Sequence, residues 1–107
     1  MTMAMTPADT ARHLRQMIAA LEAERQALAA LDLEALVAAT QEKHALCTTL
    51  APVPHLPDDA DCRALAESAR ALNEINRRVR NLLAAQVAAR IDGLAGQARP
   101  YSTSRAA

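Results

Sequence analysis

Two long helix-forming stretches separated by a proline-rich break constrain the fold of this chain more than any other feature. The stretches are Thr6 to Leu50 and Asp58 to Leu94, and the break is Ala51-Pro52-Val53-Pro54-His55-Leu56-Pro57. Each proline removes a backbone donor and disfavours helical geometry in the residue before it, so the break cannot be helical. The 107 residues include 27 alanines but only 2 glycines, one tyrosine and no phenylalanine or tryptophan. This composition favours helices packed through leucine and alanine.

The helix ends can be placed from capping residues. Thr6 can cap the first helix with its hydroxyl, Pro7 suits the first helical position, and Asp9 lies near the positive helix end. Asp58 or Asp59 can cap the second helix. We therefore predict one helical domain over residues 1–107, with helices at about 7–50 and 58–95, a turn at 51–57 and a flexible tail at 96–107. A short connection makes helices antiparallel neighbours. The predicted fold is all-α, a long coiled-coil-like antiparallel hairpin with a short helical extension in the tail.

Apolar residues of each stretch recur at the spacing of roughly 100° per residue that marks one helix face. In the first stretch they are Leu14, Met17, Ile18, Leu21, Leu28, Leu36, Leu46, Cys47 and Leu50. In the second they are Leu65, Ala69, Leu72, Val79, Leu83, Val87 and Leu94, with Ile75, Leu82 and Ile91 at the edge. Leu33 and Val37 lie away from the first face. They are either ordinary exposed residues or a contact with a partner protein or a second copy of the chain.

A hairpin that turns at residues 51–57 brings together residues whose numbers sum to about 108. Asp32 then lies opposite Asn76, each on the midline of its helix face. A carboxylate can accept a hydrogen bond from an amide, and a single polar layer can fix the register of a coiled coil. We therefore predict that Asp32 and Asn76 form a structural polar layer.

Catalytic and metal-binding patterns are weak in this sequence, so we expect no enzyme, no cofactor and no metal site. The chain has no glycine-rich phosphate loop, no Gly-x-Ser-x-Gly elbow and no His-Glu-x-x-His pair. His44, Cys47, His55 and Cys62 should gather at one end of the hairpin, but their spacing matches no usual zinc pattern. We expect both cysteines to be reduced and to pack as small apolar residues.

Membrane and nucleic-acid partners are also disfavoured. No apolar run approaches the ~20 residues of a spanning helix, and the N-terminus lacks the pattern of a signal peptide. Arg77, Arg78 and Arg80 form a basic cluster without aromatic stacking partners, which is typical of a solvated helix face. The sequence therefore favours a cytoplasmic protein that binds other proteins.

Motifs in both stretches resemble a known family. In the first, Glu24-x-x-Ala27-Leu28-x-x-x-Asp32-x-x-x-Leu36 is followed by Lys43-x-x-Leu46-x-x-x-Leu50. In the second, Leu72-Asn73-x-x-Asn76 is followed by Leu82-Leu83, and Tyr101 lies near the C-terminus. Their order and separation resemble the FlgN-type flagellar export chaperones over roughly residues 14–101.

The resemblance implies a cytoplasmic chaperone of flagellum assembly and type III secretion. Such a chaperone holds hook-filament junction proteins by their amphipathic terminal helices and delivers them to the export gate. By the same resemblance, the binding residues here are Val87, Ile91 and Leu94 for the client helix and Tyr101 for the gate. The alternative is a structural coiled-coil homodimer or adaptor without a secreted client, paired through Leu33 and Val37.

Overall fold

The all-α fold expected from the sequence is confirmed. The structure is a computed structural model and describes residues 5–52 and 56–98. Of these residues, 89% are helical and none forms a strand. The helices are α1 (Pro7–Ala30), α2 (Leu33–Leu50) and α3 (Ala60–Ala98), and α1 and α2 form an antiparallel hairpin. Across the two described ranges, no helix has the combined length and apolarity that crossing a membrane requires.

The predicted N-terminal caps of the first and last helices are confirmed. The Thr6 hydroxyl accepts a hydrogen bond from the Asp9 amide at 3.1 Å, and Pro7 is the first residue of α1. Hydrogen bonds from Thr6 in turn hold the pKa of the Asp9 carboxyl below its usual value. The two residues therefore satisfy each other in the manner of a capping box. At α3, the Asp59 carboxylate accepts from the amides of Asp61 and Cys62 at 2.8 and 3.3 Å.

The prediction of one helix over residues 7–50 is wrong, because the chain turns at Leu31 and Asp32. The Leu31 amide donates to Leu28 O at 3.2 Å and the Asp32 amide donates to Ala27 O at 3.0 Å, which is the hydrogen-bond pattern of a Schellman motif. Leu31 has φ 54° and ψ 38°, the left-handed conformation that this motif needs. Asp32 then caps α2 by accepting from the Ala35 amide at 3.1 Å.

The second predicted helix is also longer than expected at its C-terminal end. α3 begins at Ala60 and continues to Ala98, so the first three residues of the predicted tail at 96–107 are helical. The remaining residues of that tail lie outside the described residues. The proline-rich turn is described only at its edges, residues 51–52 and 56–57.

The chain divides into two compact units, residues 1–77 and 78–107. We call the described part of the first, residues 5–52 and 56–77, the three-helix unit, and residues 78–98 the C-terminal segment. In the three-helix unit α1 and α3 run parallel. Cys62 contacts Pro7 and Asn76 contacts Leu21, and the sequence separation is 55 residues in both pairs. The topology is therefore up, down, up, with α2 antiparallel to both neighbours.

The core of the three-helix unit consists of two small apolar clusters. One contains Met17, Ala20, Leu21, Leu46 and Ala69, with Ile18, Leu50 and Leu72 packed against it. The other contains Ala11, Leu14 and Cys62, with Leu50, Leu65 and Ala66 packed against it. Since alanine supplies several of these positions, the helices approach closely and each larger leucine contributes a large share of the buried apolar area.

Leu31→Gly should raise the free energy of unfolding by about 0.5–1 kcal/mol, because glycine adopts the left-handed conformation without the steric penalty that leucine bears. The exchange removes little packing, since Leu31 is 77% exposed. Leu33→Gly is the matched control. Leu33 is 71% exposed but is the first residue of α2, so glycine there should be neutral or destabilising.

Urea titration followed by circular dichroism measures both variants. If residues 7–50 formed one continuous helix, both glycines would destabilise it by about 1 kcal/mol, and that result would contradict the turn at Leu31.

Candidate functional site

A polar cluster lies inside the three-helix unit, and each of the three helices contributes to it. Glu24 of α1 is fully buried, and Lys43 of α2 reaches its carboxylate with Nζ at 3.2 Å from Oε2 and 3.5 Å from Oε1. Lys43 also donates to Oδ1 of Asn73 on α3 at 3.3 Å. The side chain of Lys43 retains only 15% exposure. The cluster therefore links α1 to α2 and α2 to α3 through one ammonium group.

Asn76 completes the cluster from the first part of α3. It is fully buried, and its Nδ2 donates to Glu24 Oε1 and to the backbone oxygen of Leu21, both at 2.8 Å. The expected polar layer on Asn76 is therefore present, but its predicted partner is wrong. Asp32 caps α2 instead, because the turn at residues 31–32 reverses the chain before a hairpin register centred on residues 51–57 can form.

This arrangement fixes the mutual position of three helices. A buried carboxylate is costly unless charge and hydrogen bonds compensate it, and here one ammonium and one amide do so. Sliding either neighbouring helix by one turn, about 5.4 Å, would remove these partners. The side chains of Glu24 and Asn76 are closed to solvent, so the cluster holds the helices together and presents no carboxylate to a substrate.

We did not predict from the sequence that Glu24 belongs to a buried polar cluster, although its position in the sequence indicates burial. Glu24 lies three residues after Leu21 and four before Leu28, which places it on the apolar stripe itself. A charged residue at such a position needs a partner from a neighbouring helix. The sequence alone does not name that partner, because Lys43 and Asn76 face Glu24 only when the chain turns at residue 31.

The predicted client-binding residues lie on one face of the C-terminal segment. Val87, Ile91 and Leu94 follow one another at intervals of four and three residues. Their exposed fractions are 55%, 59% and 65%, and we call this trio the C-terminal face. None of the three belongs to either core cluster. Tyr101, the predicted contact of the export gate, lies outside the described residues.

The surface grooves of the three-helix unit include one lined mostly by alanine and one that contains Cys47. The first lies between α1 and α2, has a volume of about 670 Å³ and is lined by eight alanines together with Gln16, Gln26, Asp32 and Glu42. The other has a volume of about 300 Å³ and includes Lys43, Cys47 and Arg70 among its lining residues. Its lining contains no histidine or carboxylate that could serve Cys47 as a general base. The groove that contains Cys47 therefore lacks the pairing of a thiol with a general base.

The expectation that both cysteines are buried holds for only one of them. Cys62 is fully buried and its Sγ donates to the backbone oxygen of Pro7 at 3.4 Å, whereas Cys47 is exposed. Within residues 5–52 and 56–98, no group of three or more His, Cys, Asp or Glu side chains is placed to hold a metal ion. His55 lies outside these ranges, so its predicted place in the cluster with His44 stays a prediction.

The two thiols should differ strongly in reactivity. Burial raises the pKa of the Cys62 thiol, and the negative charges of Asp59 and Asp61 add to the effect. We expect a disulfide reagent at pH 8 to label one thiol rapidly and the second at least roughly 100-fold more slowly, since Cys62 reacts only after local opening. Cys47→Ser should abolish the rapid phase. Rapid labelling in that variant would contradict the burial of Cys62.

No protein-family model, curated protein or solved structure matches the chain. The resemblance to FlgN-type chaperones therefore rests on the sequence motifs quoted above.

Proposed function

We propose that the chain is a cytoplasmic export chaperone that binds the amphipathic terminal helices of hook-filament junction proteins. It delivers them to the flagellar type III export gate, with Tyr101 as the gate contact that the resemblance implies. In this proposal the chain is not an enzyme and needs no cofactor. Binding one client helix at a time and releasing it at the gate are sufficient.

The exposure of the C-terminal face is the observation that carries this proposal. Val87, Ile91 and Leu94 are each more than half exposed, although leucine, isoleucine and valine are among the residues that proteins most often bury. Their spacing forms one continuous ridge along the helix. An amphipathic helix of a client can pack its own apolar stripe against such a ridge, which buries both.

The core of the three-helix unit is consistent with the same proposal. Its core is complete without the C-terminal face, because the two apolar clusters and the Glu24–Lys43–Asn76 cluster all lie within residues 5–77. Apolar residues that a core does not require remain available for a partner. The chain can therefore stay folded both with and without a client.

A paired substitution tests the binding site. Val87→Asp with Ile91→Asp should weaken binding to a C-terminal peptide of a hook-filament junction protein by roughly 100-fold, because the complex would bury two carboxylates against an apolar stripe. Leu33→Asp with Val37→Asp is the matched control, since both residues are exposed on α2. Calorimetric titration measures binding, and circular dichroism checks that helicity is kept. Unchanged binding by the first pair would place the site elsewhere.

The second candidate is the structural homodimer without a client. Leu31, Leu33 and Val37 favour it, because all three are exposed apolar residues at or near the start of α2. A homodimer would give a stable dimer in sedimentation experiments that the Leu33→Asp, Val37→Asp variant converts to a monomer. The chaperone proposal expects a monomer that forms a one-to-one complex with the client peptide.

A further inference from the structure

The formal charges of the chain separate at the boundary between its two units. The net charge of the whole sequence is zero, yet residues 1–77 carry 11 acids and 7 bases, whereas residues 78–107 carry 1 acid and 5 bases. The first unit therefore has a net charge of −4 and the second of +4, with histidine counted as neutral. The apolar C-terminal face thus lies in the basic unit of a neutral protein.

Arg90 brings part of that positive charge onto the C-terminal face itself. It follows Val87 by three residues and precedes Leu94 by four, so all three side chains share one side of α3. The residues at three and four positions on either side of Arg90 are Gln86, Val87, Gly93 and Leu94, none of which is acidic. No helix-surface ion pair therefore offsets its charge, and Arg90 is itself exposed.

Arg80 lies on the same side, because it precedes Val87 by seven residues, about two turns of the helix. At roughly 100° per residue, Asn81, Asp92 and Arg78 are turned about 120°, 140° and 180° from Val87, so the far side carries one amide, one acid and one base. A helix that binds a membrane surface is rich in lysine and arginine on the side opposite its apolar one. Here that opposite side has no net charge, whereas Arg80 and Arg90 lie among the branched apolar residues, which is the pattern expected for contact with a protein helix.

We propose that the C-terminal face selects an amphipathic helix whose apolar stripe is flanked by aspartate and glutamate. This inference rests on the proposed function and adds the charge class of the client. A carboxylate beside the client's apolar stripe would pair with Arg90, and the net positive charge of the unit would speed the encounter. A second copy of the chain is a poor occupant, since it would bring the same arginines together.

Two synthetic peptides of about 20 residues test the charge class. They share one leucine stripe long enough to cover the C-terminal face, and they carry either glutamates or lysines beside it. The full-length chain should bind the glutamate peptide at least about fivefold more tightly at low salt, and the difference should shrink as salt screens the charges. Arg90→Glu should reverse the preference. Arg15→Glu, the same change at an exposed residue of α1, should leave it intact.

The other possible results distinguish failure of the charge class from failure of the chaperone proposal. Equal binding of the two peptides, or a preference for the lysine peptide, would overturn the charge class and leave the chaperone proposal standing. Binding of neither peptide would overturn both. Tighter binding to vesicles containing phosphatidylserine, or to a random-sequence oligonucleotide, would assign the basic face to a membrane or to nucleic acid and overturn the inference. Self-association through this face that is lost in the Arg90→Glu variant would also overturn the inference.

Discussion

Replacing Lys43 by methionine should lower the free energy of unfolding by about 3 kcal/mol. Methionine keeps most of the length and apolar stem of lysine, so the change removes chiefly the ammonium group. The Glu24 carboxylate would then remain fully buried with the Asn76 amide as its remaining partner in the cluster, and Asn73 would lose its donor from α2. The cost arises because the buried carboxylate loses its ammonium partner, and urea titration monitored at 222 nm measures it.

A double variant separates this cause from a loss of packing. In Glu24→Gln with Lys43→Met, the glutamine oxygen still accepts from Asn76 Nδ2 and no buried charge is left unpaired. Its free energy of unfolding should return to within about 1 kcal/mol of the original. If the double variant is instead as unstable as Lys43→Met alone, the buried charge is not the reason.

The Arg77–Glu74 pair provides a surface control. Its nitrogen–oxygen distance of 2.6 Å is shorter than the 3.2 Å of the Lys43–Glu24 pair, but its side chains are about half exposed. Water screens such a pair, so Arg77→Met should cost less than about 1 kcal/mol. Equal costs for Arg77→Met and Lys43→Met would show that burial does not set the strength of these interactions.

Local chemistry made the helix ends predictable from the sequence. Thr6, Pro7 and Asp9 specify the start of α1 through their own side chains and ring, and the prolines at 52, 54 and 57 prevent the helix from continuing. Asp59 likewise caps α3. Each of these features acts within a few residues, so it does not depend on how the rest of the chain packs.

The turn at residues 31–32 escaped prediction because helical periodicity is insensitive to it. Leu28 and Leu46 are both buried and lie 18 residues apart, which is five whole turns of an α-helix. A continuous helix and two antiparallel helices therefore give the same apolar stripe. The turn also lacks its usual sequence signal, because a leucine occupies the left-handed position where glycine is the common residue.

The missed turn also changed the partners of the candidate residues. A hairpin centred on residues 51–57 pairs Asp32 with Asn76, whereas the up-down-up topology pairs Glu24 with Lys43 and Asn76. The exposure of Val87, Ile91 and Leu94 also depends on this difference, because a hairpin centred on residues 51–57 would place Leu94 opposite Leu14. Their spacing defines one helix face in either topology, and the interpretation of that face as a binding surface remains a proposal.

Leu21→Ala should lower the free energy of unfolding by about 3 kcal/mol, whereas Leu94→Ala should lower it by less than about 0.5 kcal/mol. The two substitutions are chemically identical and differ only in environment. Leu21 is 1% exposed and belongs to the larger core cluster, where its loss leaves a cavity. Leu94 is 65% exposed, so alanine removes little buried surface. Urea titration of both variants measures the difference.

For client binding we expect the reverse, with a larger effect from Leu94→Ala than from Leu21→Ala. Leu94→Ala should weaken binding of the glutamate-flanked peptide roughly tenfold, because it removes an apolar contact that forms only in the complex. Leu21→Ala should bind normally at temperatures where it remains folded, since its core position contributes to stability alone. A Leu94→Ala variant that loses several kcal/mol of stability would show that this residue already has a partner within the chain. The C-terminal face would then be unavailable to a client, and the chaperone proposal would fail.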